Sequence, residues 1–266
     1  SAPFTEYGVW SGDSFTGGRD SATGGDIGAG LTFAPAAEEH AIELRLAISY
    51  VSVENARANL AAETADRDFG AVAGAARDAW EARLGCIRVR GGTEEQRRIF
   101  YSALYRCFQM PTAFTDVNGE YRGFDKAVHT AGDFVYYTDF SLWDSFRTVH
   151  PLYNLVAREE QRDMMRSLVD MRKRGGALPR WPAGCGYTNC MFGTPADLAV
   201  AEAYLKGVRD FDVATAYSAM RQTALEGPPE DSRFHGRSGL PSYLALGYCA
   251  SDKMSKAVAR TLEYAA

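Results

Sequence analysis

No apolar run in this sequence approaches the roughly 20 residues that a membrane-spanning helix needs. It has no long basic run either. Its 29 Lys and Arg are outnumbered by 34 Asp and Glu, a formal net charge of −5. Phosphate binding wants a clustered cationic surface, so nucleic acid is disfavoured as the main partner. Cysteine is sparse: Cys86, Cys107, Cys185, Cys190 and Cys249 include no CxxC pair, and Cys185 and Cys190 have no His at zinc spacing. Such a set forms no disulfide framework. Small buried hydrophobes are the plain reading, with a single bridge left open. His40, His129, His150 and His235 show no pairing, so His-metal sites and nucleophilic triads have no support. GxSxG, P-loop, HExxH, EF-hand and post-strand GxGxxG patterns are all missing. No signal peptide is legible. Ser1 is not a Met, and residues 261–266 stop inside a helical pattern without a capping Gly or Pro. These ends predict a chain processed, cloned or cut from something longer.

With 46% hydrophobic and 24% charged residues, the composition is that of a globular protein. The length of 266 residues predicts about two domains. Residues 1–35 are rich in Gly and read as turns between strands. Over 41–53, Ile42, Leu44, Leu46, Ile48 and Tyr50 alternate with polar residues, which predicts a half-buried antiparallel strand. Residues 54–84, rich in Ala and charge and free of Pro, predict one or two linking helices. Residues 86–90 read as a short extended piece.

About six helices are predicted after residue 93, joined by loops of uneven length. Thr93 to Gln96 matches a capping box, followed by Phe100, Leu104, Cys107 and Phe108 on one face. Leu142, Phe146 and Val149 predict a helix over 140–150, and Met164, Leu168 and Met171 one over 156–173. Thr194-Pro195 opens another with Leu198, Ala201 and Leu205 inward, and Gly207 closes it. Asp212 caps a helix carrying Val213, Ala216 and Met220, and Ser251 caps a last one carrying Met254, Val258 and Leu262. The segments 111–138, 174–193 and 224–250 read as long loops. Loops longer than about 12–15 residues are usually functional or disordered, and their Trp, Tyr, Asn and Asp content argues against disorder. Stacked helical hairpins would gather such loops at one end.

Two clusters stand out as chemistry. Trp143, Asp144 and Arg147 open a helix; dipole-favoured Asp144 with a local ion pair to Arg147 is the structural alternative. Arg180, Trp181 and Asn189 lie in a Gly-rich segment, where a loop anchored by a buried Trp is the alternative. Together these residues suit carbohydrate: aromatic faces stack on sugar C–H surfaces, and planar polar groups bind pairs of hydroxyls.

The stretch YTDFSLWDSFR at 137–147 resembles the FSLWD motif of family 92 glycoside hydrolases, bacterial exo-acting α-mannosidases, many of them α-1,2-specific. Also similar are DVNGEYRG at 116–123, GALPRW at 176–181, TNCM at 188–191, AYLKG at 203–207, Gly239-Leu240, LGY at 246–248, and ISYVSVENAR at 48–57. The resemblance runs in order over nearly the whole chain. It implies a mixed, β-then-α architecture: residues 1–53 as the end of an N-terminal β-sandwich, 54–92 as a helical linker, and 93–266 as the first half of an (α/α)6 barrel. It also implies an inverting hydrolase assisted by Ca²⁺, acting on mannose-containing glycans in the periplasm, at the cell surface or outside the cell. The family's general acid, general base and calcium ligands match no residue here and are expected beyond Ala266. What the chain supplies is a sugar-binding wall. Asp144 would accept hydrogen bonds from mannose hydroxyls, Trp143, Trp181 and Asn189 would shape the pocket, and Arg147 or Arg180 would orient Asp144. A half-barrel would expose apolar flanks, so the chain alone is expected to be inactive, and unstable or paired as a homo-oligomer. A non-catalytic mannose-binding or interaction module is the alternative. A helical-barrel hydrolase or lyase of other sugar specificity leaves the ordered motifs unexplained.

Overall fold

The computed structural model describes residues 4–34, 42–252 and 254–265. The readings that involve Ser1, His40, Ala266 and the first residue of the segment 41–53 fall outside them. The chain divides into two compact units, Ser1–Leu46 and Ala47–Ala266.

The first unit holds a three-stranded antiparallel sheet in the order β2–β1–β3: β1 is Phe4–Ser11, β2 is Ser14–Gly17 and β3 is Ile27–Phe33. Ser11 pairs with Ser14 around the two-residue turn Gly12-Asp13, the tight connection that Gly at positive φ permits. Across the other edge of β1, Trp10 pairs with Gly28. A Cβ on Gly28 would stand 1.9 Å from the Trp10 ring. The absent side chain is therefore what lets the indole lie over β3.

The expected strand over 42–53 does not form. Residues 42–49 carry no ladder, and α1, Val53–Thr64, begins where the strand was to end. The alternation is real, but an extended segment becomes a strand only when its N–H and C=O groups find a partner ladder, and the described residues offer none. Leu44 and Leu46 are consequently about four-fifths exposed. Side chains fasten this segment instead. Asn59 Nδ2 donates to Ile48 O at 3.0 Å, and Arg122 Nε donates to Tyr50 O at 2.9 Å.

The expected linker forms two helices, α1 and α2 (Phe69–Leu84), each started by a side-chain cap from Ser52 and Asp68. Helix α3, Glu94–Cys107, has the full capping box of Thr93 and Gln96, and buries Leu104 on the expected face. The segment 111–138 is built rather than loose. β4 (Thr112–Ala113) pairs with β7 (Tyr137–Thr138), enclosing the hairpin of β5 (Glu120–Arg122) and β6 (Val128–Thr130).

The helix expected over 140–150 is broken into α4, Leu142–Ser145, and α5, Val149–Val156. Pro151 explains the break. It has no N–H for the Arg147 carbonyl, and its ring would clash there in a continuous helix, whereas the first turn of α5 tolerates it. Helix α6, Arg158–Gly175, is central and packs against α5, α7 (Pro195–Leu205) and α8 (Val213–Leu225). Between α6 and α7 lies the hairpin of β8 (Pro182–Ala183) and β9 (Gly186–Tyr187). An unforeseen helix, α9 (Leu240–Leu246), sits in the third long segment, before α10 (Ala257–Ala265).

Two helices face the core differently from the expectation. Helix α7 buries Ala196, Ala199, Val200 and Ala203 while Leu205 is 76% exposed. Helix α10 buries Ala257 and Tyr264 while Val258 and Leu262 stand out. The small alanines of α7 meet the closely packed α5 and α6, where leucines would not fit. The core gathers Tyr121, Tyr136, Phe140, Leu142, Tyr153, Met165, Leu168 and Met171. Tyr121 and Tyr136 stack at 4.0 Å. Burying each such side chain contributes about 1.5–3 kcal/mol. The cysteines are free, and Cys249 alone of the five is fully buried, so the reading of all five as buried hydrophobes is corrected.

Candidate sugar-binding wall

Helix α4 sets the first cluster. Leu142 points into the core, which leaves Trp143 half-buried and Asp144 exposed. The Asp144 carboxylate has no hydrogen-bond or ion-pair partner among the described residues. Arg147 lies past the end of α4, off any continuous helical face with Asp144. The local ion pair of the structural alternative therefore does not form, and Arg147 Nη2 donates instead to Glu263 Oε1 on α10 at 2.8 Å. The same guanidinium lies over the Trp143 and Phe146 rings at 4.9 and 4.5 Å. Cation–π contact from both rings and a largely buried carboxylate hold Arg147 in one pose. The Trp143 Nε1 is buried without a hydrogen-bond partner among the described residues.

Glu263 connects this cluster to the second. Its Cβ stands 2.9 Å from where a Gly193 side chain would begin, and Gly193 has φ +63°. Only a glycine fits both demands. The Gly193 carbonyl accepts from Arg180 Nε at 2.8 Å. Arg180 is buried, and its Nη1 donates to Asn189 O and Met191 O at 3.3 and 3.1 Å. Its Nη2 donates to Gly236 O. Burial pulls its pKa below the ordinary Arg value. Arg180 therefore fastens two loop segments to each other through their carbonyls, and no hydrogen bond joins it to Asp144 among the described residues.

Asn189 adopts a left-handed φ of 56°. Its Oδ1 accepts from His235 N at 3.0 Å and its Nδ2 donates to Arg233 O at 2.9 Å, so its carboxamide clamps the segment before α9. Trp181 is half-buried. Its carbonyl accepts from Thr188 N at 3.2 Å and Thr188 Oγ1 at 2.7 Å, closing the β8–β9 hairpin. Nearby, Asp197 in the first turn of α7 lies within 3.4 Å of Arg237 Nη2. Burial pushes its pKa up to about 6, against the pull of Thr194 and Arg237.

Three other carboxylates, Asp116, Asp125 and Asp139, are engaged by neighbours. Asp116 accepts from Ser49 Oγ (2.6 Å), Asn55 Nδ2 (2.8 Å) and Asn59 Nδ2 (2.7 Å), which ties the motif at 48–57 to the motif at 116–123. Asp125 contacts His129 Nε2 at 2.9 Å, and Asp139 accepts from Gly184 N at 2.9 Å. Cavities of about 350 and 490 Å³ lie elsewhere, the first beside Trp80, Phe108 and Tyr153, the second beside Arg172, Arg174 and Tyr187. Among the described residues no group of three His, Cys, Asp or Glu is placed to hold a metal ion.

Sequence reasoning missed Glu263, Gly193 and Arg237. Glu263 lies 116 residues from its partner, and no local pattern announces such a pair.

Residues 55–266 match the glycosyl hydrolase family 92 catalytic domain. Over its full length the chain is similar to a solved family 92 inverting mannosidase of Bacteroides thetaiotaomicron, with 32% identity and a TM-score of 0.89, and covers 36% of it. A solved family 92 α-mannosidase of the same organism is 29% identical over 98% of this chain and 35% of its own, with a TM-score of 0.82. That protein has also been solved in complex with mannoimidazole. An uncharacterized secreted glycosidase of Arthroderma benhamiae is 27% identical over 240 residues, 84% of this chain and 26% of its own length. The chain thus spans between 26% and 36% of these relatives. Matched to the family's catalytic domain over most of its length, the chain belongs to glycosyl hydrolase family 92.

Proposed function

We propose that this chain forms part of an inverting exo-α-mannosidase that removes terminal α-1,2-linked mannose from glycans, and that it supplies one wall of the terminal-sugar site. The observation that carries this reading is Asp144: an exposed carboxylate without a partner among the described residues, beside an indole held by Arg147. The likeness to solved mannosidases supports mannose as the sugar. On the same reading, residues 1–53 end a β-sandwich, 54–92 link, and 93–266 form the first half of an (α/α)6 barrel.

Each wall residue has a task. Asp144 accepts hydrogen bonds from a pair of sugar hydroxyls. Trp143 and Trp181 offer ring faces to the sugar's C–H side. Arg147 sets the indole of Trp143. Arg180 and Asn189 hold the backbone that shapes the wall. An inverting mechanism needs one carboxylic acid on the leaving oxygen and one carboxylate on the attacking water, roughly 6.5–9.5 Å apart. The family's general acid and general base match no residue of this chain, so by the resemblance both groups are assigned outside it, as are the ligands of a calcium ion that would bind sugar hydroxyls.

The test is mannose release from α-1,2-mannobiose, with and without EDTA, by this chain and by a longer protein that contains it. Turnover by the longer protein alone, lost with EDTA, supports the reading. Turnover by this chain itself would move the chemistry onto its own carboxylates. Binding of mannose without turnover by either would make it a binding module. In the longer protein, Asp144→Ala should weaken turnover sharply, and near-unchanged kinetics would remove Asp144 from the site.

A further inference from the structure

Two hairpin tips meet. Lys126 sits at the tip between β5 and β6, with φ +70°. Cys185 sits at the tip between β8 and β9 and is half-buried. The lysine Nζ lies 3.3 Å from Cys185 Sγ and also donates to the Cys185 carbonyl. Both tips are pinned through their backbones. Arg122 Nη1 donates to Lys126 O at 2.8 Å, and the Lys126 N–H donates to Gly123 O at 2.9 Å. On the other side, Thr138 Oγ1 donates to Gly184 O at 2.6 Å, and Gly184 N donates to Asp139 Oδ1 at 2.9 Å. A nucleophilic thiol and a primary amine are thus held against each other by anchors that belong to neither side chain.

We propose that Cys185 and Lys126 form a reversible oxidative crosslink, a sulfur–oxygen–nitrogen bridge made with dioxygen. One thiol, one amine and one dioxygen give the bridge and one water. The S–H bond and one N–H bond break, S–O and O–N bonds form, and the second oxygen leaves as water with the two displaced hydrogens and the hydrogen-derived electrons. Dioxygen takes up four electrons. Sulfur rises to the sulfenyl level and nitrogen to the hydroxylamine level. Two dithiol equivalents return four electrons and four protons, which restores thiol and amine and releases the bridging oxygen as water. The insertion needs sulfur and nitrogen to close by less than a covalent bond length. Thiol oxidation to the sulfenyl level is reversible, which is what a switch requires. The bridge would fasten the segment 111–138 to the segment 174–193, and the latter carries Arg180, Trp181 and Asn189.

The test is peptide mapping by mass spectrometry of this chain after aeration and after dithiothreitol. The expected result is a linked pair of peptides containing residues 126 and 185, with the summed mass plus one oxygen and minus two hydrogens, and loss of tryptic cleavage after Lys126. Dithiothreitol should abolish it, as should Cys185→Ser and the charge-preserving Lys126→Arg. Cys190→Ser should leave it. Recovery of Cys185 as thiol, sulfinic acid or a disulfide to Cys190, with Lys126 still cleaved, overturns the proposal. The exposed Lys126→Arg variant keeps the test valid if Cys185→Ser folds poorly.

Discussion

At the scale of single residues, the buried polar groups carry the most energy. Arg180 satisfies carbonyls of residues 189, 191, 193 and 236. Arg180→Leu would leave them unpaired in a buried place, so urea unfolding should show a loss of about 3 kcal/mol or more. A change below 1 kcal/mol, roughly the value of a surface substitution, would contradict that role. His150 is fully buried, contacts Gln161 Oε1 at 2.9 Å and is pushed by burial down to about 4 from 6.5. The unfolded chain takes up a proton below that ordinary value while the native chain refuses it until about 4. Stability is therefore intact above pH 6.5 and lost as pH falls toward 4, by up to about 1.4 kcal/mol per pH unit. Asp197, raised to about 6 from 3.8, works in the opposite sense. Its contribution is present below pH 3.8 and lost as pH rises through about 6. Unfolding measured from pH 4 to 7 should show His150→Gln flattening the acid loss and Asp197→Asn steepening it. Identical profiles for all three proteins would refute both assignments. Trp143 and Asp144 were legible as a motif because they are neighbours in sequence. The roles of Arg147 and Arg180 were not, because their partners come from other elements.

At the scale of elements, the caps read at Thr93 and Asp212 form, whereas Thr194 makes no side-chain cap and α10 begins at Ala257 rather than after Ser251. Ser52, Asp68, Thr93 and Asp212 each begin a helix through a side-chain hydrogen bond to the backbone. Such a bond spans three residues, so sequence alone contains it. The rotation of a helix about its axis is another matter. Helix α7 offers leucines on one side and alanines on the other, and hydrophobicity alone favours the leucines. Close approach of α5 and α6 selects the alanines. Ala199→Leu should therefore overpack the core and cost about 1–3 kcal/mol. Leu205→Ser should stay within about 0.5 kcal/mol. Equal losses in thermal or chemical melts would mean that α7 is rotated from the orientation seen. Pro151 belongs to the same lesson: the apolar spacing over 140–150 was helical, but one missing N–H and one ring divided it.

At the scale of the whole molecule, the apolar side chains exposed in this chain give a prediction for its behaviour in solution. Ile42, Leu44, Leu46 and Ile48 are mostly exposed on a segment without a ladder. Exposed apolar segments of this kind favour self-association. Replacing Leu44 and Leu46 with Lys should lower the mass measured by light scattering at high protein concentration, with the melting midpoint unchanged. A drop in that midpoint would mean the leucines already pack within the fold.

The sequence by itself determined the order of β then α, the capped helix starts at Thr93 and Asp212, the turns of its first sheet and, through motifs matched in order, membership of glycosyl hydrolase family 92. Each rests on interactions reaching a few residues along the chain, or on side-chain identities that can be compared directly. The tertiary structure alone decided that the alternating segment stays unpaired, which faces of α7 and α10 turn inward, that Arg147 binds Glu263, and that Arg180 binds carbonyls. Those outcomes depend on which surfaces meet at once across the fold, and a contact between residues 147 and 263 leaves no periodic trace in either neighbourhood.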